Sequence, residues 1–417
     1  MRIKHLSLKN IGPFIEADME FLNDSDKSPP VVMITGENGT GKSIILDAIR
    51  GMFGPHYGML ERNIRRRKCD GEPKITLELE ADQKKHVLIS GEIREKDITP
   101  PPRAGEHHSL MKIPGNVNDG GNCPNWIADF WPSAPAGGAY KVDTFKNPQH
   151  RAFLFKALDG KKTKESITQL ICHFDYVRDS RDTQEKATGE RLYEILEKII
   201  ENSLLDGGRL SHVGRSTYEP IIIQNDQPVS LENLSGGNAY LIQNMVGLLG
   251  KMYSVHVLRQ SPLSELCETP GLLLIDEAEN QLHPKWQKRF IPSVLDIFPN
   301  LQIIVTTHSP FIISSVPNAR LLVCKAKADH CIVVDETAEY TNKPVDEILM
   351  SPLFEGTQPF NEKITRLIEQ LEYAIMADDE KGRERVEAEL KALNPDYFSY
   401  FDMDRLLEKI AEKGVNK

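Results

Sequence analysis

Gly36-Glu37-Asn38-Gly39-Thr40-Gly41-Lys42-Ser43 reads GENGTGKS and satisfies G-x-x-x-x-G-K-[ST]. Its flanks supply the setting the motif needs. Val31-Val32-Met33-Ile34-Thr35 is a nearly unbroken apolar run, as expected of a buried central strand. Ile44 to Met52 reads as a helix. Between a strand and a helix, glycines let the backbone fold into a cradle whose N–H groups face phosphate oxygens. The helix start adds partial positive charge at the same point. Lys42 brings a full charge, and the Ser43 hydroxyl suits a divalent cation. Gly36, Asn38, Gly39, Thr40, Gly41, Lys42, Ser43 and Ile44 are therefore expected to hold ATP, with Mg²⁺ as its companion. The expected fold class is α/β: a P-loop core with a mixed central sheet, flanking helices and a C-terminal helical region.

Further along, Leu272-Leu273-Leu274-Ile275 ends in Asp276-Glu277. A buried strand would deliver both carboxylates to the end of the sheet, where ligands bind in such folds. Asp276 is expected at the metal and Glu277 as general base for the attacking water. Leu234-Ser235-Gly236-Gly237-Asn238 opens a helical segment and could form a second anion site. Taken alone it would read as a turn and a helix cap. Thr306-Thr307-His308-Ser309-Pro310 follows the apolar strand candidate at 301–306, placing His308 where it could contact a γ-phosphate.

The rest of the chain frames these motifs. Of 417 residues, 27% are charged and 40% hydrophobic, which is ordinary for a globular protein, and the net charge of −10 argues against uniform nucleic-acid binding. The six cysteines are scattered without a CxxC pair, fitting reduced thiols in a cytoplasmic protein. No apolar run approaches the ~20 residues needed to span a bilayer. Residues 1–22 read as two strands around Asn10-Ile11-Gly12-Pro13, 75–93 as a hairpin, and 97–138 as a long irregular insertion. A helical part is expected over 150–215. Amphipathic helices are expected at 361–376, 381–393 and 402–412. The expected domains are a nucleotide-binding unit over 1–341 and a helical interaction region over 342–417. The roughly 190 residues between GKS and LSGG leave no room for a long coiled-coil arm. Arg62, Arg65, Arg66, Arg67 and Lys68 form a basic run: either a solvated face or a phosphate-contact patch, for DNA or for nucleotide across a dimer.

In combination, IKHLSLKNIGPF, GENGTGKS, LSGGN, LLLIDEAENQLHP and TTHSPF resemble the ABC-type ATPases of the SMC, RecF and OLD-like group. The resemblance covers Met1 to about Ser315. It implies Glu277 as catalytic glutamate, His308 as switch, and Ser235, Gly236 and Gly237 acting across a head-to-tail homodimer or larger assembly. It also implies a D-loop over Ala278–Leu282 and a metal-sensing glutamine, for which Gln149 is the candidate. OLD nucleases carry a Toprim domain after the switch histidine. About 108 residues follow Ser309 here and lack its DxD set, so no nuclease is expected. The stretch from Asn342 onward is similar to PtuA, the ATPase subunit of Septu-type anti-phage systems, with relatives in retron systems. That likeness implies an HNH endonuclease partner. The alternative is a RecF- or SMC-like repair ATPase that clamps DNA when ATP is bound.

Overall fold

The computed structural model describes residues 1–21, 30–53, 62–64, 71–94, 98, 123–204, 207–280, 282–354 and 360–399. Its strands are β1 (Arg2–Ile11), β2 (Phe14–Glu20), β3 (Val31–Gly36), β4 (Lys74–Ala81), β5 (Lys84–Ile89), β6 (Ile127–Trp131), β7 (Arg209–Val213), β8 (Pro220–Gln224), β9 (Gln227–Ser230), β10 (Gly271–Ile275), β11 (Leu301–Thr306), β12 (Arg320–Ala326) and β13 (Cys331–Asp335). Among the described residues, ten of them form one mixed sheet in the order β5-β4-β1-β2-β13-β12-β3-β11-β10-β6. One half is parallel: β12, β3, β11, β10 and β6 run side by side. β3, β10 and β11 are buried along their whole length, in keeping with their largely apolar sequences. The other half is antiparallel except where β13 meets β2, and it begins with the β1–β2 and β4–β5 hairpins. Asp82 and Gln83 both take positive φ at the β4–β5 turn, the backbone twist that suits a two-residue hairpin. The α/β class with a mixed sheet and flanking helices is thus as read from the sequence.

Two readings need correction. The segment 97–138 is not irregular throughout, because β6 lies within it and pairs with β10. Asp129 interrupts its apolar run and hid the strand. In the structure that carboxylate accepts from Phe130 N and Trp131 Nε1, so it is buried without breaking the strand. Nor is 150–215 wholly helical. After α2 (His150–Phe155), α3 (Lys164–Arg178) and α4 (Thr183–Asn202) comes β7, the edge of a separate β7-β8-β9 sheet. Asn225 and Asp226, both at positive φ, make its two-residue turn.

The helices that bear on the site are α1 (Lys42–Gly51), preceding those three, and α5 (Gly236–Arg259) and α6 (Pro284–Ile297), following them. The chain divides into two compact units, Met1–Val345 and Asp346–Lys417. In the second, helices Glu362–Met376 and Glu380–Leu393 pack through Leu367, Leu371, Val386, Leu390 and Phe398. The expected helix at 402–412 lies outside the described residues. No helix among them is long and apolar enough to cross a membrane.

Gln302 ties the two halves of the sheet together. It is fully buried on β11, accepts from Ile3 N at 2.6 Å and donates to Ile3 O at 3.0 Å. Gln302→Leu keeps the volume and deletes both bonds. It should lower unfolding free energy by about 2–4 kcal/mol, at ~1–3 kcal/mol per buried group that loses its partner. Urea denaturation would check this; a loss below about 0.5 kcal/mol would show that the bridge contributes little.

Candidate functional site

The phosphate loop leaves β3 and enters α1, and its glycines sit where side chains cannot. Gly36, Gly39 and Gly41 have φ of 133°, 80° and 97°. A Cβ on Gly36 would lie 2.2 Å from Cys324 O, and one on Gly41 would lie 2.6 Å from Pro13 Cγ. Thr40 Oγ1 donates to Glu37 O at 2.8 Å and braces the turn. Lys42 is buried and donates to Gly36 O at 2.8 Å and Glu37 O at 2.7 Å. Burial lowers its pKa from the ordinary lysine value, opposed by Glu279, Glu277 and Asp276.

Ser43 at the start of α1 donates to Asp276 Oδ1 at 2.7 Å. Thr306, at the end of β11, donates to the same oxygen at 2.8 Å. Arg62 donates to Asp276 Oδ2 at 2.8 Å and reaches Asp47 of α1 at 3.3 Å. Asp47 is also bound by Arg50 at 2.7 Å, and burial raises its pKa against both arginines. Glu277 follows with φ of 53°, a left-handed conformation that side chains rarely adopt. Its Oε2 accepts from Asn280 Nδ2 at 2.7 Å. Glu279 accepts from His308 N and from Thr307 Oγ1, each at 2.7 Å, so one carboxylate holds the histidine loop. Burial, with Lys42 nearby, pushes the His308 pKa below the ordinary histidine value, so the ring is neutral at neutral pH.

These groups surround a cavity of about 640 Å³ lined by Asn38, Gly39, Gly41, Lys42, Ser43, Ile44, Glu277 and His308. Its size is in the range of sites for nucleotide-sized ligands, ~300–1,000 Å³. The glycine cradle, the Lys42 ammonium at the start of α1, and the Ser43 hydroxyl beside the Asp276 carboxylate after β10 fit a nucleoside triphosphate with a divalent cation. Gly12, Pro13, Arg62 and Asn63 also line it. Sequence reasoning did not place Gly12, Pro13 or Asn63 here, although the Gly12-Pro13 turn was visible, and it read Arg62 only as part of a phosphate-contact run for DNA or for nucleotide across a dimer. The proximity of Arg62 to Asp276 comes from a sequence separation of 214 residues, which local pattern does not reveal. Arg65, Arg66, Arg67 and Lys68 of the basic run lie outside the described residues.

Ser235 and Gly236 are exposed at the start of α5, and they do not line this cavity. Ser235 caps the helix by accepting from Asn238 N. Gln149 is not brought to the cavity either. It precedes α2, where its carbonyl accepts from Phe153 N, and it lines a second cavity with Phe153, Lys162 and Lys251. The chain that emerges beside Asp276 is Pro132-Ser133, since Asp276 N donates to Trp131 O at 3.0 Å, and neither is a glutamine. Gln149, the residue expected to sense the metal, thus lies away from the cavity that Ser43 lines.

A family model described as "AAA domain, putative AbiEii toxin, Type IV TA system" matches residues 31–314. "Septu protein PtuA" of Bacillus thuringiensis is 27% identical over 80% of this chain and 78% of its own length. "Retron Vc95 probable ATPase" of Vibrio cholerae serotype O1 biovar El Tor is 22% identical over 60% of this chain and 47% of its own. "Retron Ec83 probable ATPase" of Escherichia coli is 22% identical over 57% of this chain and 42% of its own. The chain thus spans about half the length of the two retron relatives. Among solved structures, the SMC head bound to the C-winged helix domain of ScpA aligns with a TM-score of 0.47 and 14% identity, covering 80% of this chain and 98% of that one.

Arg62→Met should loosen Asp276 and remove a partner from buried Asp47. A loss of about 1–3 kcal/mol in unfolding free energy is expected, together with weaker Mg²⁺ dependence of nucleotide binding. Thermal denaturation and a Mg²⁺ titration with a fluorescent nucleotide would read both. Unchanged values would show that the ion pair is incidental.

Proposed function

The chain belongs to the AAA-domain family whose model it matches over residues 31–314, and on that premise we propose that it is an ATP-hydrolysing subunit of an anti-phage defence system. In this reading ATP lies in the cavity at Gly36–Ile44, with Mg²⁺ held by Ser43 and Asp276. Lys42 exchanges the Gly36 and Glu37 carbonyls for phosphate oxygens. Glu277 accepts the proton of the attacking water, and neutral His308, fixed by Glu279, orients that water. Bound Mg²⁺ would neutralise phosphate charge.

One observation carries the assembly half of the proposal. Ser235 and Gly236 sit exposed at a helix start and away from the chain's own cavity. A second copy related by a two-fold axis can bring that helix start to the γ-phosphate side, giving an isologous dimer with nucleotide in its interface. Hydrolysis would then open the interface and change what a partner sees. The names "Septu protein PtuA" and "Retron Vc95 probable ATPase" support the defence context. The partner in this proposal is an HNH-type endonuclease that the ATPase regulates. The RecF- or SMC-like reading, with DNA clamped through the Arg62–Lys68 run, loses Arg62 as a free contact because Asp276 and Asp47 engage it.

Glu277→Gln should lower hydrolysis by about 10²-fold or more while keeping ATP affinity. It should also trap a dimer in ATP and Mg²⁺, read by size exclusion with light scattering. A variant that remains monomeric in ATP would sink the dimer mechanism. The pH profile gives a separate check. Since the His308 pKa is lowered, hydrolysis should stay level as pH falls from 8 to the ordinary histidine value of 6.5, and drop only below it. A fall centred above 6.5 would show that another group controls the rate.

A further inference from the structure

A second cavity, of about 260 Å³, lies between α2, the Lys156–Thr163 connection, the first turn of α3 and the middle of α5. Lys156, Lys161, Lys162 and Lys251 line it. The last two are the informative pair. Lys251 Nζ lies 3.2 Å from Asp129 Oδ1, and Lys162 Nζ lies 3.2 Å from Asp129 Oδ2. Their side chains are only 3% and 10% exposed, and Asp129 is fully buried. Two lysine amino groups thus share one carboxylate at the wall of a cavity. Burying a charge without a full counter-charge is expensive. Burial accordingly pushes the Lys162 pKa down to about 7, with Lys251 adding to the effect. Lys162 also donates to Asn244 Oδ1 at 2.9 Å, a neutral acceptor that supplies no charge. Asp159 lies near Lys156 and Lys161 and offsets those two at the rim, so the argument rests on the buried pair.

The helix start beside the cavity does not explain the excess. Ser166 N already donates to Thr163 Oγ1, and Lys164 N to Gly137 O. Gly247 keeps the floor low: a Cβ there would only meet Ile167 and Lys162 at 3.5 and 3.7 Å. Room and positive charge are therefore retained together. We propose that this cavity is a second anion site, separate from the loop at Gly36–Ser43, that takes a small phosphate-class ligand: free phosphate or a phosphate monoester. Such an anion would hold Lys162 in its ammonium form beside Lys251 and balance the added charge. Its surroundings join the strand leading to Asp276 with the helix that starts at Ser235. Asp129 is on β6 beside β10, and Asn244 is on α5.

The test uses the full chain carrying Lys42→Ala, which disables the first phosphate loop. Inorganic phosphate and AMP are titrated separately at constant ionic strength, reading thermal midpoint and tryptophan fluorescence, since Trp131 lies 5.4 Å from Lys162 Nζ. A saturable response is expected, weakened at least tenfold by Lys162→Met. Gly247→Met should weaken it equally by filling the cavity with both lysines in place, which guards against a folding defect in the lysine variant. A stronger response to phosphate than to AMP would assign the free ion, and the reverse a monoester. Absence of saturation at millimolar ligand would overturn the proposal. So would a response that both variants retain, or one given only by an oligonucleotide. None of these outcomes depends on whether the first site hydrolyses ATP.

Discussion

Everything at the candidate site is organised around a single carboxylate. Asp276 is buried at the end of β10 and receives hydrogen bonds from α1 through Ser43, from β11 through Thr306, and from the connection after α1 through Arg62. A buried carboxylate is tolerated only with such partners. The same bonds therefore fix the positions of the three segments that meet there. Lys42 reaches the cavity from one side, and Glu277 and His308 from the other. A cation arriving at Ser43 and Asp276 would enter a place already shaped by polar contacts among neighbours distant in sequence.

A second carboxylate does comparable work for the histidine. Glu279 spans from the β10 loop to the β11 loop, binding the main chain of His308 and the side chain of Thr307. Ser309 in turn donates to Gln287 of α6, at 2.5 Å, and starts the next short helix as its cap. The histidine is thus placed by its backbone, and its ring is left to face the cavity. The positive φ of Glu277 belongs to the same design, because the sharp turn redirects the chain so that Ala278 N can bond Thr306 O.

The parts of this arrangement that were legible in the sequence are those encoded locally. GENGTGKS carries its strand, turn and helix within about twenty residues, and LLLIDE carries its own strand. The pairing of β3, β10 and β11 then brings Lys42, Asp276 and His308 together. Arg62 was legible only as one charge in a run, since its partners Asp47 and Asp276 are chosen by the fold. β6 was hidden because Asp129 looks like a loop residue until Lys162 and Lys251 are found beside it. Gln149 illustrates the opposite failure: a glutamine of the right type was selected, while the loop beside Asp276 is Pro132-Ser133. The β7-β8-β9 sheet was missed because its strands are only four or five residues long, although Asn225-Asp226 is a turn signal.

The bridge between Gln302 and Ile3 has a consequence for how the chain is made. The two residues are 299 positions apart. At ~5–20 residues per second, a ribosome that has released Ile3 needs roughly 15–60 s more before Gln302 emerges. During that interval the β1–β2 and β4–β5 hairpins can pair with each other, since all four strands belong to the first ninety residues. β3 cannot, because its partners β11 and β12 have not been synthesised. A nascent chain therefore carries VVMIT, an apolar strand whose sheet neighbours are β11 and β12, until those strands are made. The order of strands makes the closing of this sheet a late event in the synthesis of the chain.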